Sequence, residues 1–198
     1  MLRVSGDSAN HVVDQFVFEA YEPLLKRRYM QCVLMLAQSL ELVLMLCVET
    51  WLFRSVRYRR TKANNEIMGA LRGRFYAATD RMTLGKLRRL AVALAIWQAP
   101  PRTLAELDAA IAQLPKHTGK KVKDSDLASI PDEALRAAAV HLDGTNFVDL
   151  RNAVAHKAYR PPQEMAELCY ERVPRMNRLL MKVFGVAQGQ LVMPPKAG

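Results

Sequence analysis

The sequence predicts an all-α protein, a helical bundle with a long early helix, a short helix near residue 150 and a kinked C-terminal helix. Three observations predict it. Apolar residues recur every three or four positions through most of the chain, the spacing of one buried helix face. The composition, 51% hydrophobic and 24% charged, is that of a folded helical protein and not of a disordered one. Glycine supplies only 9 of the 198 residues, which disfavours strand-and-turn architectures. This length fills one sizeable core, so a single domain is expected over residues 12–185, with 1–11 an N-terminal extension and 186–198 a loose tail.

Val12 to Tyr21 carries the helical pattern, and Glu22-Pro23 can open a new helix with proline at its first position, where the missing N–H costs nothing. That helix is expected to run to about Arg60. Residues 61–79, with Asn64-Asn65, Gly69 and Gly73 among basic residues, read as a helical or partly irregular connection. Thr83 can cap a helix with apolar positions at Leu84, Leu87, Leu90, Leu94 and Trp97, closed by Pro100-Pro101. Thr103 and Glu106 have the spacing of a capping box for a shorter helix that closes at Pro115, so the two helices form a hairpin.

Lys116 to Asp126 is polar and lysine-rich and reads as an exposed loop. Pro131 starts a helix running to about His141, broken by Asp143-Gly144. Thr145 or Asn146 caps the next helix, which stops before Pro161-Pro162. The last helix begins near Pro162 and keeps apolar spacing at Met165, Leu168, Cys169, Val173, Met176, Leu180 and Val183. Pro174 should kink it, and Gly185 ends it.

Cys32 to Phe53 is long and apolar enough to pass for a membrane span. At ~100° per residue, Gln31, Gln38 and Glu49 fall within roughly 20° of one another and Glu41 lies about 80° to the side, which predicts a thin wet stripe on a bundle helix. Basic residues flank both ends, Lys26-Arg27-Arg28 and Arg54 to Arg60, where a single span usually shows asymmetry. The expected location is the cytoplasm. Met1 to Asn10 has no cationic start followed by an apolar run, and Cys32, Cys47 and Cys169, widely spaced in apolar surroundings, suit buried reduced thiols.

The net charge of +10, from 29 Lys and Arg against 19 Asp and Glu, favours polyanionic partners, with nucleic acid the first candidate. Arg54, Arg57, Arg59, Arg60 and Lys62, interleaved with Tyr58, form one candidate RNA-tracking patch, and Arg72, Arg74, Arg81, Arg88 and Arg89 a second. Either cluster also suits a merely solvated face. His11, His117 and His141 lack ligand spacing, no Cys/His zinc pattern or phosphate-cradling glycine loop occurs, and no metal or cofactor is expected.

Chemistry concentrates in Arg151-Asn152-Ala153-Val154-Ala155-His156. On a helix over residues 146–158, Phe147, Leu150, Val154 and Ala158 share one face that must pack inward. Asp149, Asn152 and His156 cluster opposite within about 60°, while Arg151 stands about 140° from His156. Cutting RNA requires a 2′-hydroxyl to lose a proton, a pentacoordinate phosphate to be stabilised and a departing 5′-oxygen to gain a proton. An imidazole, with an unperturbed pKa of about 6.5, can accept and donate near neutrality. A guanidinium offers a planar fork to phosphate oxygens, and Asn152 can hold the imidazole or a phosphate by hydrogen bonding. The competing reading is a surface Arg and His near a helix end, stabilised by the helix dipole.

This segment resembles the motif of the HEPN superfamily, α-helical bundles whose signature is Arg, a polar residue, a short spacer and His. Phe147-Val148-Asp149-Leu150 before it and Tyr159 after it are similar in character, as are Leu40-Glu41-Leu42 and Met82-Thr83-Leu84-Gly85-Lys86-Leu87. The resemblance spans about Val12 to Phe184. It implies a metal-independent endoribonuclease, a hydrolase of the toxin–antitoxin or phage-defence type, working as a homodimer with facing motifs and restrained by an antitoxin or defence-system partner. By the same resemblance Arg151 would stabilise the transition state, Asn152 position, and His156 act as general acid or base. Asp149 and Tyr159 would support them. Glu41 would pair with Arg151, or else be a core carboxylate satisfied by Gln38 or the backbone. A tyrosine modified in some relatives two residues after the histidine is replaced by Ala158, which argues against such modification here. The alternative function is a catalytically inactive module of the same kind that binds RNA, nucleotide or a protein partner.

Overall fold

The computed structural model describes residues 6–57, 73, 83–97, 103, 105–106, 108–109, 112, 122–144 and 146–186. Among them all regular structure is helical, as the apolar spacing predicts. The helices are α1 (Gly6–Glu19), α2 (Tyr21–Leu25), α3 (Tyr29–Arg57), α4 (Leu84–Trp97), α5 (Asp124–Ala128), α6 (Glu133–Asp143), α7 (Phe147–Lys157) and α8 (Gln163–Val183). These residues group into two compact units. The first comprises α1, α2, α3 up to Val43, α7 and α8 up to Lys182, and the second comprises the rest of α3 with α4, α5 and α6.

The first unit departs from expectation at its entry. Glu22-Pro23 does not open the long helix but sits inside the five-residue α2. The chain then reverses at Arg27, whose φ of 56° is left-handed. Arg28 N–H donates to the Pro23 carbonyl (2.7 Å) and Arg27 N–H to that of Leu24 (3.1 Å), closing α2 in a Schellman arrangement. Glycine usually occupies such a position, and an arginine there leaves the sequence without its stop signal. The long helix therefore begins at Tyr29.

Within this unit Val13, Val17, Ala20 and Leu24 are buried, as are Cys32, Val33, Leu36 and Leu40 of α3 and Tyr170, Val173, Met176 and Leu180 of α8. Two buried polar residues tie α3 to α8. Asn177 Nδ2 donates to Ser39 Oγ (3.0 Å), whose hydroxyl donates to the Leu36 carbonyl (2.7 Å). Tyr21 and Tyr170 stack with ring centroids 5.7 Å apart, and Tyr29 Oη bonds Gln163 Oε1 (3.0 Å) at the start of α8. The helix α8 runs on through Pro174, which has no N–H to offer the Tyr170 carbonyl. Leu168, assigned to the inner face by spacing, is 42% exposed.

In the second unit α4 and α5 pack on α6. Leu84, Leu87, Leu90 and Leu94 are fully covered, together with Leu44, Cys47, Val48 and Leu52 of α3 and Leu135, Ala138 and Leu142 of α6. Trp51 meets Phe184 edge to face at 5.8 Å. Caps behave largely as read from the sequence. Thr83 Oγ1 accepts from Lys86 N–H (3.4 Å), and Thr103 and Glu106 exchange reciprocal bonds of 3.2 and 3.3 Å. Asp132, not Pro131, caps α6 by accepting from Leu135 N–H (2.8 Å). Gly144 ends α6 in a right-handed conformation, and α5 begins at Asp124, inside the last residues of the stretch read as loop.

The polar stripe of α3 holds only in part. Gln31 and Gln38 are exposed and Glu41 is half-buried, but Glu49 is buried and engaged with a partner, because α3 passes into the second core there. By length and composition Tyr29–Leu52 could cross a membrane, and 56% of the apolar stretch is buried inside the protein. The three thiols are free and buried. Burial pushes Cys32 up to about 12 and Cys169 up to about 11, and lifts Cys47 further still.

Replacing Ser39 with alanine should strip Asn177 Nδ2 of its acceptor and destabilise the protein by about 1–3 kcal/mol in denaturant titration. The double variant Ser39→Ala/Asn177→Leu, which removes both polar groups, should recover most of that loss. Equal destabilisation by both variants would show that the bond matters less than the packing around it.

Candidate active site

The motif helix α7 is anchored by Phe147, Val148 and Val154, all buried. Val148 takes the inward place expected of Ala158, which is exposed and lies beyond the last helical turn. Asn146 stands at the N-terminus and its carbonyl accepts from Leu150 N–H (3.0 Å), yet its side chain forms no cap bond. At the other end Ala158 has a φ of 52°, and its N–H and that of Tyr159 (3.2 Å) both point to the Ala153 carbonyl. This left-handed turn carries the chain away from the helix axis directly after His156 and Lys157.

Asp149, Asn152 and His156 are all exposed on the face that helical spacing assigns to them. Arg151 is half-buried. Its Nη1 donates to Asn152 Oδ1 (3.1 Å), so the asparagine is turned toward the guanidinium. Nothing in the spacing foretold this bond between neighbours. Tyr159, 40% exposed, follows the turn on the C-terminal side of the motif.

Glu41 of α3 is the carboxylate nearest in influence. Burial raises its pKa, and the Arg151 guanidinium opposes that rise. Glu41 and Arg151 both belong to the first unit, and the guanidinium acts on the carboxyl through its charge. Burial is the larger effect, so this carboxyl is held above its ordinary range. The Arg151 guanidinium donates to the Asn152 amide oxygen and keeps further N–H groups for a ligand.

The first basic patch falls mostly outside the described residues. Arg54 and Arg57 belong to α3 without described side chains, and Arg59, Arg60 and Lys62 are not described. Of the second patch, Arg72, Arg74 and Arg81 are likewise outside. Arg88 is half-buried with Nη1 toward the Asp143 carbonyl (3.5 Å), and Arg89 is exposed. Sequence reasoning passed over Lys157 and Arg160, which are exposed on either side of the left-handed turn next to His156. Their charge and their adjacency to the motif were the available signal. No protein-family model, curated protein or solved structure matches this chain.

Two changes test the local physics of this site. Because burial raises the Glu41 pKa above its unfolded value, its contribution to stability is complete below the unfolded carboxyl range and is lost as pH rises through the folded pKa. Glu41→Gln should therefore melt above the native chain at neutral pH, with the difference vanishing as the medium is acidified. A native chain that is the more stable at neutral pH would mean that Arg151 outweighs burial. Independently, Ala158→Gly should relieve the left-handed strain and raise stability by about 1 kcal/mol, read as a higher melting temperature.

Proposed function

We propose that the chain is a metal-independent endoribonuclease of the HEPN type, acting in the cytoplasm as a toxin or defence effector restrained by a partner protein. One observation carries the reading. His156 is exposed, and about 1.4 turns of helix away a half-buried guanidinium is oriented through Asn152 while keeping donors free for phosphate. Neither group is sealed inside the fold.

In this reaction the 2′-oxygen of the substrate RNA forms a bond to phosphorus as the bond from phosphorus to the 5′-oxygen breaks. His156 takes the 2′-hydroxyl proton while water protonates the departing 5′-oxygen, or it protonates that oxygen while water takes the 2′-hydroxyl proton. Arg151 faces the charge that gathers on the equatorial phosphate oxygens. Asn152 limits the guanidinium to fewer orientations, which lowers the ordering cost of meeting a phosphate. Lys157 and Arg160 supply sequence-independent attraction for the strand beside the motif. Helical spacing puts Arg151 about 140° around the axis from His156, so a second motif facing the first across a two-fold would let the two groups converge.

That same separation favours the second reading, an inactive module that binds RNA or a protein partner through the exposed face of α7. Incubating RNA with the purified chain in excess chelator separates the two. Cleavage should persist in chelator and fall at least about a hundredfold in both His156→Ala and Arg151→Ala, the scale of a lost general acid or base. RNA retained on the protein but cut by neither the native chain nor the variants would replace the nuclease with the binding module.

A further inference from the structure

The outward face of α8 takes no part in the site above and has a pattern of its own. Glu164, Glu167, Leu168, Glu171, Arg172, Arg175, Leu179 and Lys182 are all exposed. At ~100° per residue, Glu164, Leu168, Glu171, Arg172, Arg175, Leu179 and Lys182 fall within about 100° of arc, one stripe along the helix. Its acids all precede Arg172, and the bases run from Arg172 to Lys182. Leu168 and Leu179 are 42% and 40% exposed, about 16 Å apart along the axis, and they lie symmetrically about the helix centre near Val173 and Pro174.

We infer that this face pairs with the same face of a second copy of the chain, the two α8 helices running antiparallel about a two-fold axis at their midpoint. Such an axis sets Leu168 of each copy against Leu179 of the other. It brings Glu164 and Glu167 of each to the Lys182 end of its partner, and it opposes the helix dipoles favourably. Near the axis Arg172 of each copy faces Arg175 of the other, and because Arg175 pairs with Glu171 of its own helix at 3.1 Å, one arginine of each facing couple arrives with its charge offset. An acidic or a basic partner would match only one end of the stripe, and a copy of itself sets the acidic end against the basic end twice.

One helix pair lies at or below the lower end of the ~1,200–2,000 Å² that specific interfaces bury. The dimer is therefore a weak one and is weakened further by salt, since its end pairs are exposed to solvent. This pairing asks nothing of the α7 motif and stands whether or not the chain cuts RNA.

Sedimentation velocity over a micromolar concentration series tests it through two charge-reversal sets, Glu164→Lys/Glu167→Lys/Glu171→Lys and Arg172→Glu/Arg175→Glu/Lys182→Glu. The native chain should approach twice its 22.4 kDa mass with rising concentration. Either set alone should weaken association at least about tenfold, and mixing the two sets in equal amounts should restore a dimer, which misfolded chains could not do. A native chain that stays monomeric overturns the inference. So do reversals without effect, or a mixture that fails to pair. A second variant reads the register: the doubly substituted chain Leu168→Cys/Leu179→Cys should form a covalent dimer under mild oxidation, since the native thiols are buried. A chain that remains uncrosslinked under those conditions also overturns it.

Discussion

A helix that is apolar on nearly every side has to be covered along its whole length, and α3 is such a helix. Its 29 residues extend about 44 Å, and buried positions recur from Cys32 to Leu52 with few polar interruptions. Water cannot be left against that surface without losing the hydrophobic contribution of each covered side chain, roughly 1.5–3 kcal/mol apiece. Each unit takes its core from one half of this helix. The α8 face that holds Val173, Met176 and Leu180 is buried in the first unit, and the leucines of α4 in the second. Among the buried polar groups Ser39 and Asn177 fix register, since their bond holds one residue of α8 to one residue of α3.

The candidate site inherits its electrostatics from that covering. Glu41 lies where α3 emerges only partly from its surroundings, so its carboxyl is disfavoured as an anion, while Arg151 on α7 draws it back toward ionisation. The guanidinium is oriented by the Asn152 amide of its own helix. His156 stands apart on the exposed arc of α7, with the left-handed turn at Ala158 following directly. Orientation by structure and openness to solvent are thus divided between the two residues on which the proposed chemistry depends.

Much of this was legible in the residues themselves. The helical class, the extent of α4 from Thr83 to Trp97, the reciprocal Thr103 and Glu106 cap, and the exposed arc of Asp149, Asn152 and His156 all follow from spacing and capping chemistry. The failures have particular causes. Arg27 adopts a conformation that sequence rules reserve for glycine, so the break before Tyr29 was invisible. Glu49 was placed on a wet stripe by an angle, but angles do not reveal which side of a helix a second core will cover. The same blindness puts Leu168 on the inner face by spacing although it is 42% exposed. The Arg151 to Asn152 bond joins sequence neighbours, a relation to which helical periodicity is blind.

The three thiols give the fold an internal clock. A cysteine reacts as its thiolate, and burial both withholds that form and bars reagents from it. Cys32 and Cys169 lie in one unit and Cys47 in the other, so their alkylation would proceed only as fast as each unit opens. Two separate labelling rates would mean that the units breathe independently, and one shared rate would mean that α3 makes them open together.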